Sequence, residues 1–156
     1  MFRHPFRVRR NGESPKDQHA RSAGRTKFRE GAQPALGDRM SVPFDQLDGE
    51  IWMNGEFLPW KDAKVHVLTH GLHYASAVFE GERAYGGEVF KLREHTERLI
   101  ESGRILGFQL PYSADEIDTA TNELLRRQGF SDAYVRPIAW RGSEMMGVAA
   151  QKNRIN

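Results

Sequence analysis

The sequence predicts an α+β domain with a largely antiparallel sheet and two helices, preceded by a disordered basic tail. Three observations carry this expectation. Two glycine-bearing turns, Asn54-Gly55 and Gly86-Gly87, are each flanked by short strand-like runs. Two capped helical stretches follow them. A strand-like run over 133–141 then returns, and hairpins with two helices and a returning strand make an α+β domain.

Taken in order, residues 1–39 are rich in Arg, Gly, Ser, Pro and Gln and poor in aliphatics. Such a segment buries too little apolar surface to offset its ordering entropy, so it is expected to be disordered. Met40-Ser41 resembles an ordinary protein start, and the domain is expected over 41–145 with an interdomain loop opening at 146–156. Residues 51–53 and 56–58 read as a hairpin because Asn54-Gly55 supplies two positive-φ positions. Residues 65–68 read as strand and 69–76 as a short helix or turn. Residues 77–85 and 88–92 form a second hairpin around Gly86-Gly87. A helix over 93–106 carries His95, Leu99, Ser102 and Leu106 on one stripe and closes at Gly107. A second helix opens at Ser113, with Glu116 completing a capping box. It runs through Ile117, Ala120, Leu124 and Leu125 to Gly129. The last six residues supply no element that closes the sheet, and the sequence reads as interrupted there.

Charge is unevenly placed. Residues 1–40 hold ten Lys/Arg against four Asp/Glu, whereas 41–156 hold thirteen against seventeen. The basic balance therefore belongs to the tail and is no argument for a nucleic-acid-binding domain. The tail itself reads as an extension without function, in preference to a nucleic-acid-binding arm that would hold phosphates nonspecifically. Glu13, Asp17, Glu30 and Asp38 weigh against a transit peptide. With no cysteine there is neither a disulfide framework nor a thiolate metal site, which fits a cytoplasmic protein. No apolar run approaches the roughly 18 residues of a membrane span, and no apolar segment of a secretory signal follows the first arginines.

Few motifs carry chemistry by themselves. His66, His70 and His73 have a spacing that would stack on one helix face, where they could bind zinc. The strand-like 65–68 run separates them, which favours histidines in the core or supporting a site from behind, and no metal. There is no Walker loop, dinucleotide fingerprint or nucleophile elbow, so glycine here marks turns. Arg98 stands four residues after Glu94, the spacing of an ordinary surface ion pair. Tyr134 and Arg136 share one strand face with Ile138 and Trp140. That face suits either a carboxylate ligand with an apolar body or the solvent side of an edge strand.

Three longer runs decide between these readings. His70-Gly-Leu-His-Tyr-Ala-Ser-Ala-Val-Phe-Glu-Gly-Glu-Arg83, Phe90-Lys-Leu-Arg-Glu-His-Thr-Glu-Arg98-Leu99 and Ala133-Tyr-Val-Arg-Pro137 resemble the small domain of branched-chain aminotransferases, fold-type IV pyridoxal-phosphate enzymes. The resemblance spans about 50–156 in the family's order and spacing. It implies pyridoxal 5'-phosphate as cofactor, with Arg98 binding its phosphate. Phe79, and Tyr74 reaching from a partner subunit, would wall the substrate side-chain pocket, and Gly81 would allow close backbone approach. Tyr134 would contact the substrate α-carboxylate and Arg136 the side-chain carboxylate of glutamate. Val148 would close the neighbour's pocket in a homodimer or higher oligomer. The implied reaction exchanges amino groups between L-leucine, isoleucine or valine and 2-oxoglutarate, yielding glutamate.

The resemblance also implies what to look for elsewhere. The family's Schiff-base lysine, and the carboxylate facing the pyridine nitrogen, belong to a C-terminal domain. Lys16, Lys27, Lys61, Lys64, Lys91 and Lys152 match no catalytic position. These residues by themselves are expected to be inactive, with no catalytic residue of their own. The Tyr-x-Arg-Pro strand separates the branched-chain group from D-amino acid transaminases and aminodeoxychorismate lyases. Those two, or a non-catalytic domain that binds a small anion or a protein, remain the alternatives.

Overall fold

A computed structural model describes residues 43–75 and 77–156. The expected disordered tail over 1–40 lies outside them. The described residues form the expected α+β domain, with β1 (Glu50–Met53), β2 (Glu56–Pro59), α1 (His70–Tyr74), β3 (Ala77–Phe79), β4 (Glu82–Tyr85) and β5 (Glu88–Val89) in its first half. The helices α2 (Leu92–Ile105) and α3 (Ala114–Gln128) follow, then β6 (Ala133–Val135) and β7 (Ile138–Trp140). Every strand pair is antiparallel: β1 with β2, β3 with β7, and β4 with both β5 and β6.

Local chemistry fixes the ends of these elements. Asn54 and Gly55 take φ values of 54° and 91°, the two positive angles a tight hairpin turn needs. At the start of α3, Ser113 Oγ accepts the Glu116 N–H while the Glu116 carboxylate accepts the Ser113 N–H at 2.7 Å. Gly129 ends that helix in the left-handed region, at φ 67°. On α2 the buried residues are Thr96, Leu99 and Gly103, a stripe turned away from the one expected, and Leu106 is exposed. Arg93 ties the two helices together through Asp115 and Asp118.

The strands correct the sequence reading in three places. Residues 65–68 are a loop with a turn at 67–68 rather than a strand. The Leu68 N–H bonds back to His66 Nδ1, which gives the local backbone a partner without a sheet. Residues 77–85 and 133–141 each divide into two strands, and β3 pairs with β7 instead of folding back on β5. The division is local, because Pro137 lacks the N–H that the Glu80 carbonyl would need. The register nevertheless runs straight through: Phe79 faces Ile138 and Glu82 faces Val135. Glu80 therefore falls opposite Pro137 and Gly81 opposite Arg136, and the Glu80 N–H still donates to Pro137 O at 3.0 Å.

The third correction is at the end of the sequence. Residues 154–156 pair with 140–142, with an Arg141–Ile155 bridge and reciprocal Trp140–Asn156 hydrogen bonds of 3.0 and 2.9 Å. The core cluster lies between sheet and helices and consists of Val78, Leu99, Phe108 and Ala139, with Leu110 and Ile155 packed against it. Among the described residues no helix is long and apolar enough to cross a membrane.

Candidate functional site

The unbroken register gives the β3/β4–β6/β7 pair two different faces, since successive strand residues alternate. Val78, Glu80, Glu82, Ala84 and Ala139 are buried on one face. Phe79, Gly81, Tyr134, Arg136 and Ile138 lie exposed on the other. Here the sequence reading of Tyr134, Arg136 and Ile138 as residues of one face agrees with the structure.

Two contacts organise the exposed face. The Arg136 guanidinium lies 4.0 Å from the centroid of the Phe79 ring, close enough for cation–π attraction. The Tyr134 phenol lies over Gly81, where a Cβ would come within 2.6 Å of Tyr134 Oη. Only a residue without a side chain permits that approach. The outcome is a phenol and a guanidinium side by side on apolar surface, able to receive carboxylates attached to an apolar body.

Arg98 belongs to a separate cluster. Its Nε and Nη2 donate to Glu80 Oε1 and Oε2 at 2.7 and 2.6 Å, a two-point ion pair. His95 Nδ1 lies 3.0 Å from Glu80 Oε2. The Arg98 hydrogen bonds hold the Glu80 carboxyl down at about 2, against burial, which raises it, and with His95 lowering it further. The same pairing raises the Arg98 guanidinium. Glu94, the expected surface partner of Arg98, pairs with Lys91 instead. The free end of Arg98 therefore carries donors toward solvent, which suits a phosphate group better than an apolar ligand.

Tyr74 and Val148 meet through a third residue. His70 is buried and stacks on the Tyr74 ring with centroids 4.5 Å apart. Its Nε2 lies 3.0 Å from the carbonyl oxygen of Gly147, the neighbour of Val148. Asn153 and Arg141 hold the rest of that loop by donating to backbone carbonyls, including Met145 O and Ala150 O. Val148 itself is 88% exposed at the tip. Of the three histidines, only His70 is a core residue; His66 and His73 are exposed, so the core alternative holds for His70 alone. His73 is occupied with Val67 O. Among the described residues no group of His, Cys, Asp or Glu is placed to hold a metal ion.

Sequence reasoning missed Glu80, Glu82 and the link that His70 makes between Tyr74 and Gly147. A signal for the first two was present: in the alternating run Val78, Glu80, Glu82, Ala84, carboxylates stand at inward positions where apolar residues are usual.

Comparison with known proteins fits this geometry. Residues 77–155 match the family described as amino-transferase class IV. A probable branched-chain-amino-acid aminotransferase of Rickettsia felis is 49% identical over 107 residues, covering 69% of this chain and 37% of that protein. The branched-chain amino acid aminotransferase of T.th., complexed with N-(5'-phosphopyridoxyl)-L-glutamate, superposes with a TM-score of 0.65 at 41% identity, covering 69% of this chain and 38% of the other. The same enzyme complexed with 4-methylvaleric acid gives a TM-score of 0.65 at 42% identity, covering 68% and 37%. The chain thus spans little more than a third of the length of these relatives.

Proposed function

The chain belongs to the amino-transferase class IV family, and we propose that it supplies the small-domain side of a pyridoxal-phosphate transaminase acting on leucine, isoleucine or valine and 2-oxoglutarate. The observation that carries this reading is the Arg136 guanidinium resting on the Phe79 ring beside Tyr134. One pocket must accept an apolar side chain in one half-reaction and the carboxylate of glutamate in the other. A purely apolar wall would strand that carboxylate, whereas an open cation would disfavour leucine. An arginine parked on an aromatic face can do both, by turning to the carboxylate and returning to the ring. The relatives' ligands, an apolar acid and a glutamate adduct, span the same two chemistries.

In this reading Tyr134 holds the α-carboxylate common to all the substrates, and Gly81 leaves room for its phenol. Phe79 walls the side-chain pocket. Arg98 holds the cofactor phosphate, for which its solvent-facing donors fit. Tyr74 and Val148, joined through His70, close the pocket of a partner subunit. Pyridoxal phosphate, when bound, supplies the electron sink for amino transfer, and the lysine it requires lies in a further domain. The 156 residues alone are accordingly without transaminase activity.

The experiment replaces the matching part of a curated relative with residues 41–156 and assays L-leucine, L-valine and D-alanine against 2-oxoglutarate. Turnover of the L-branched substrates in preference to D-alanine supports the reading. Preference for D-alanine would move the chain to the D-amino acid transaminases.

A further inference from the structure

We propose that Glu80 is a positioning residue for phosphate binding, fixing the Arg98 guanidinium by one edge so that its other edge faces outward. The inference rests on the reading of Arg98 as the phosphate ligand and assigns a residue which that reading leaves without a role. An arginine on an exposed helix face has many rotamers and meets an anion as a diffuse charge; a guanidinium clamped in one orientation presents a fixed fork.

Glu80 has what a clamp requires. Its side chain is 7% exposed, and its backbone is tied into the sheet by the 3.0 Å bond to Pro137 O. Both of its oxygens are used, Oε1 by Arg98 Nε and Oε2 by Arg98 Nη2 and His95 Nδ1. Nε and Nη2 form the side edge of the guanidinium. Among the described residues Nη1 makes no hydrogen bond, and the Arg98 side chain is 64% exposed. Nη2 also lies 3.2 Å from His95 Nδ1, so Nη1 is the nitrogen left for an anion. Because Phe79 and Gly81 flank Glu80 on the opposite face, the same three residues of backbone set both the phosphate fork and the wall of the carboxylate-binding face.

The physics supplies a test by sign. Glu80 is itself an anion, so if it only neutralised Arg98, removing its charge would tighten phosphate binding. If it positions Arg98, removing it loosens binding although the net field becomes more favourable. A pair that merely ties α2 to the sheet would change stability and leave phosphate affinity unmoved.

Inorganic phosphate is titrated into the 156-residue chain and the Arg98 Nε–H resonance followed by NMR, with wild type, Arg98→Ala, Glu80→Gln and Glu80→Asp. Circular dichroism confirms that each variant is folded. Saturable binding by wild type, read at a backbone amide of α2 for the variant lacking the guanidinium, is expected to vanish in Arg98→Ala. It is expected to weaken roughly fivefold or more in Glu80→Gln. Glu80→Asp keeps the charge but withdraws the carboxylate by one methylene, and is expected to weaken binding as well. Affinity in Glu80→Gln equal to or tighter than wild type overturns the role of Glu80 while leaving Arg98 as the ligand. Absence of phosphate binding by wild type, or its persistence in Arg98→Ala, overturns both. If Glu80→Gln does not fold, Glu80→Asp decides, and unchanged affinity there counts against positioning.

Discussion

The phenol of Tyr134 occupies the space a side chain would take at Gly81, with Oη 2.6 Å and the nearest ring carbon 3.3 Å from where a Cβ would stand. Gly81→Ala is therefore expected to displace the Tyr134 ring. Both residues are exposed, so the ring can swing away and the stability cost should stay below about 1 kcal/mol. Aromatic NMR resonances of Tyr134 in the 156-residue chain report the displacement. Unchanged ring shifts in a folded Gly81→Ala variant would show that the close approach does not exist in solution.

Glu82 should make the domain less stable as pH rises. Its side chain is 1% exposed, and neither carboxylate oxygen has a hydrogen-bond partner among the described residues. Burial pushes its carboxyl up to about 7 from 4.5; Glu80 and Asp118 also raise it, while His95 on α2 lowers it. The folded state thus binds this proton more tightly than the unfolded chain. Stability is full below about 4.5, declines between there and about 7, and levels off above, a total loss on the order of 3 kcal/mol. Glu80, held at about 2, works in the opposite sense, and its slope fades as pH rises above the ordinary carboxylate value of 4.5. Thermal melting at pH 5 and pH 8 should show Glu82→Gln gaining stability at pH 8 relative to wild type, by about 5 °C or more, with a much smaller difference at pH 5. Parallel pH profiles for the two proteins would count against it.

The isolated 156-residue polypeptide should show no transamination of leucine with 2-oxoglutarate when pyridoxal phosphate is added. It should also self-associate, because Phe79, Tyr134 and Ile138 expose contiguous apolar surface on one sheet face, with Tyr74 and Val148 exposed on neighbouring segments. Turnover above the free-cofactor background contradicts the first expectation. A monodisperse monomer at high concentration in analytical ultracentrifugation contradicts the second.

Much of the fold was legible because its signals are local. Asn54-Gly55 needs no tertiary context to specify a turn, and the Ser113–Glu116 capping box states where α3 begins. The partner of β3 was not legible, because β7 lies some sixty residues away and only the register reveals that Gly81 faces Arg136. For the candidate site, period-two alternation was enough to put Tyr134 and Arg136 on one face. It could not find the partner of Arg98: Glu94 is the nearer carboxylate in sequence, yet Glu80 takes the ion pair because the sheet passes beneath α2. The contact of His70 with Gly147 was hidden for the same reason, since it spans most of the domain.

Tyr134 and Arg136 are assigned different carboxylates, and single-turnover rates of the two half-reactions test that division of labour most directly. In a complete two-domain transaminase carrying these residues, cofactor absorbance follows leucine and glutamate separately. Arg136→Met keeps apolar bulk beside Phe79 but removes the charge, and should slow the glutamate half-reaction more than the leucine one by about 2 kcal/mol, roughly thirtyfold. Tyr134→Phe should slow both about equally, because both substrates carry the α-carboxylate. If Arg136→Met slows the two halves alike, Arg136 serves the α-carboxylate or the fold, and the account of this face is wrong.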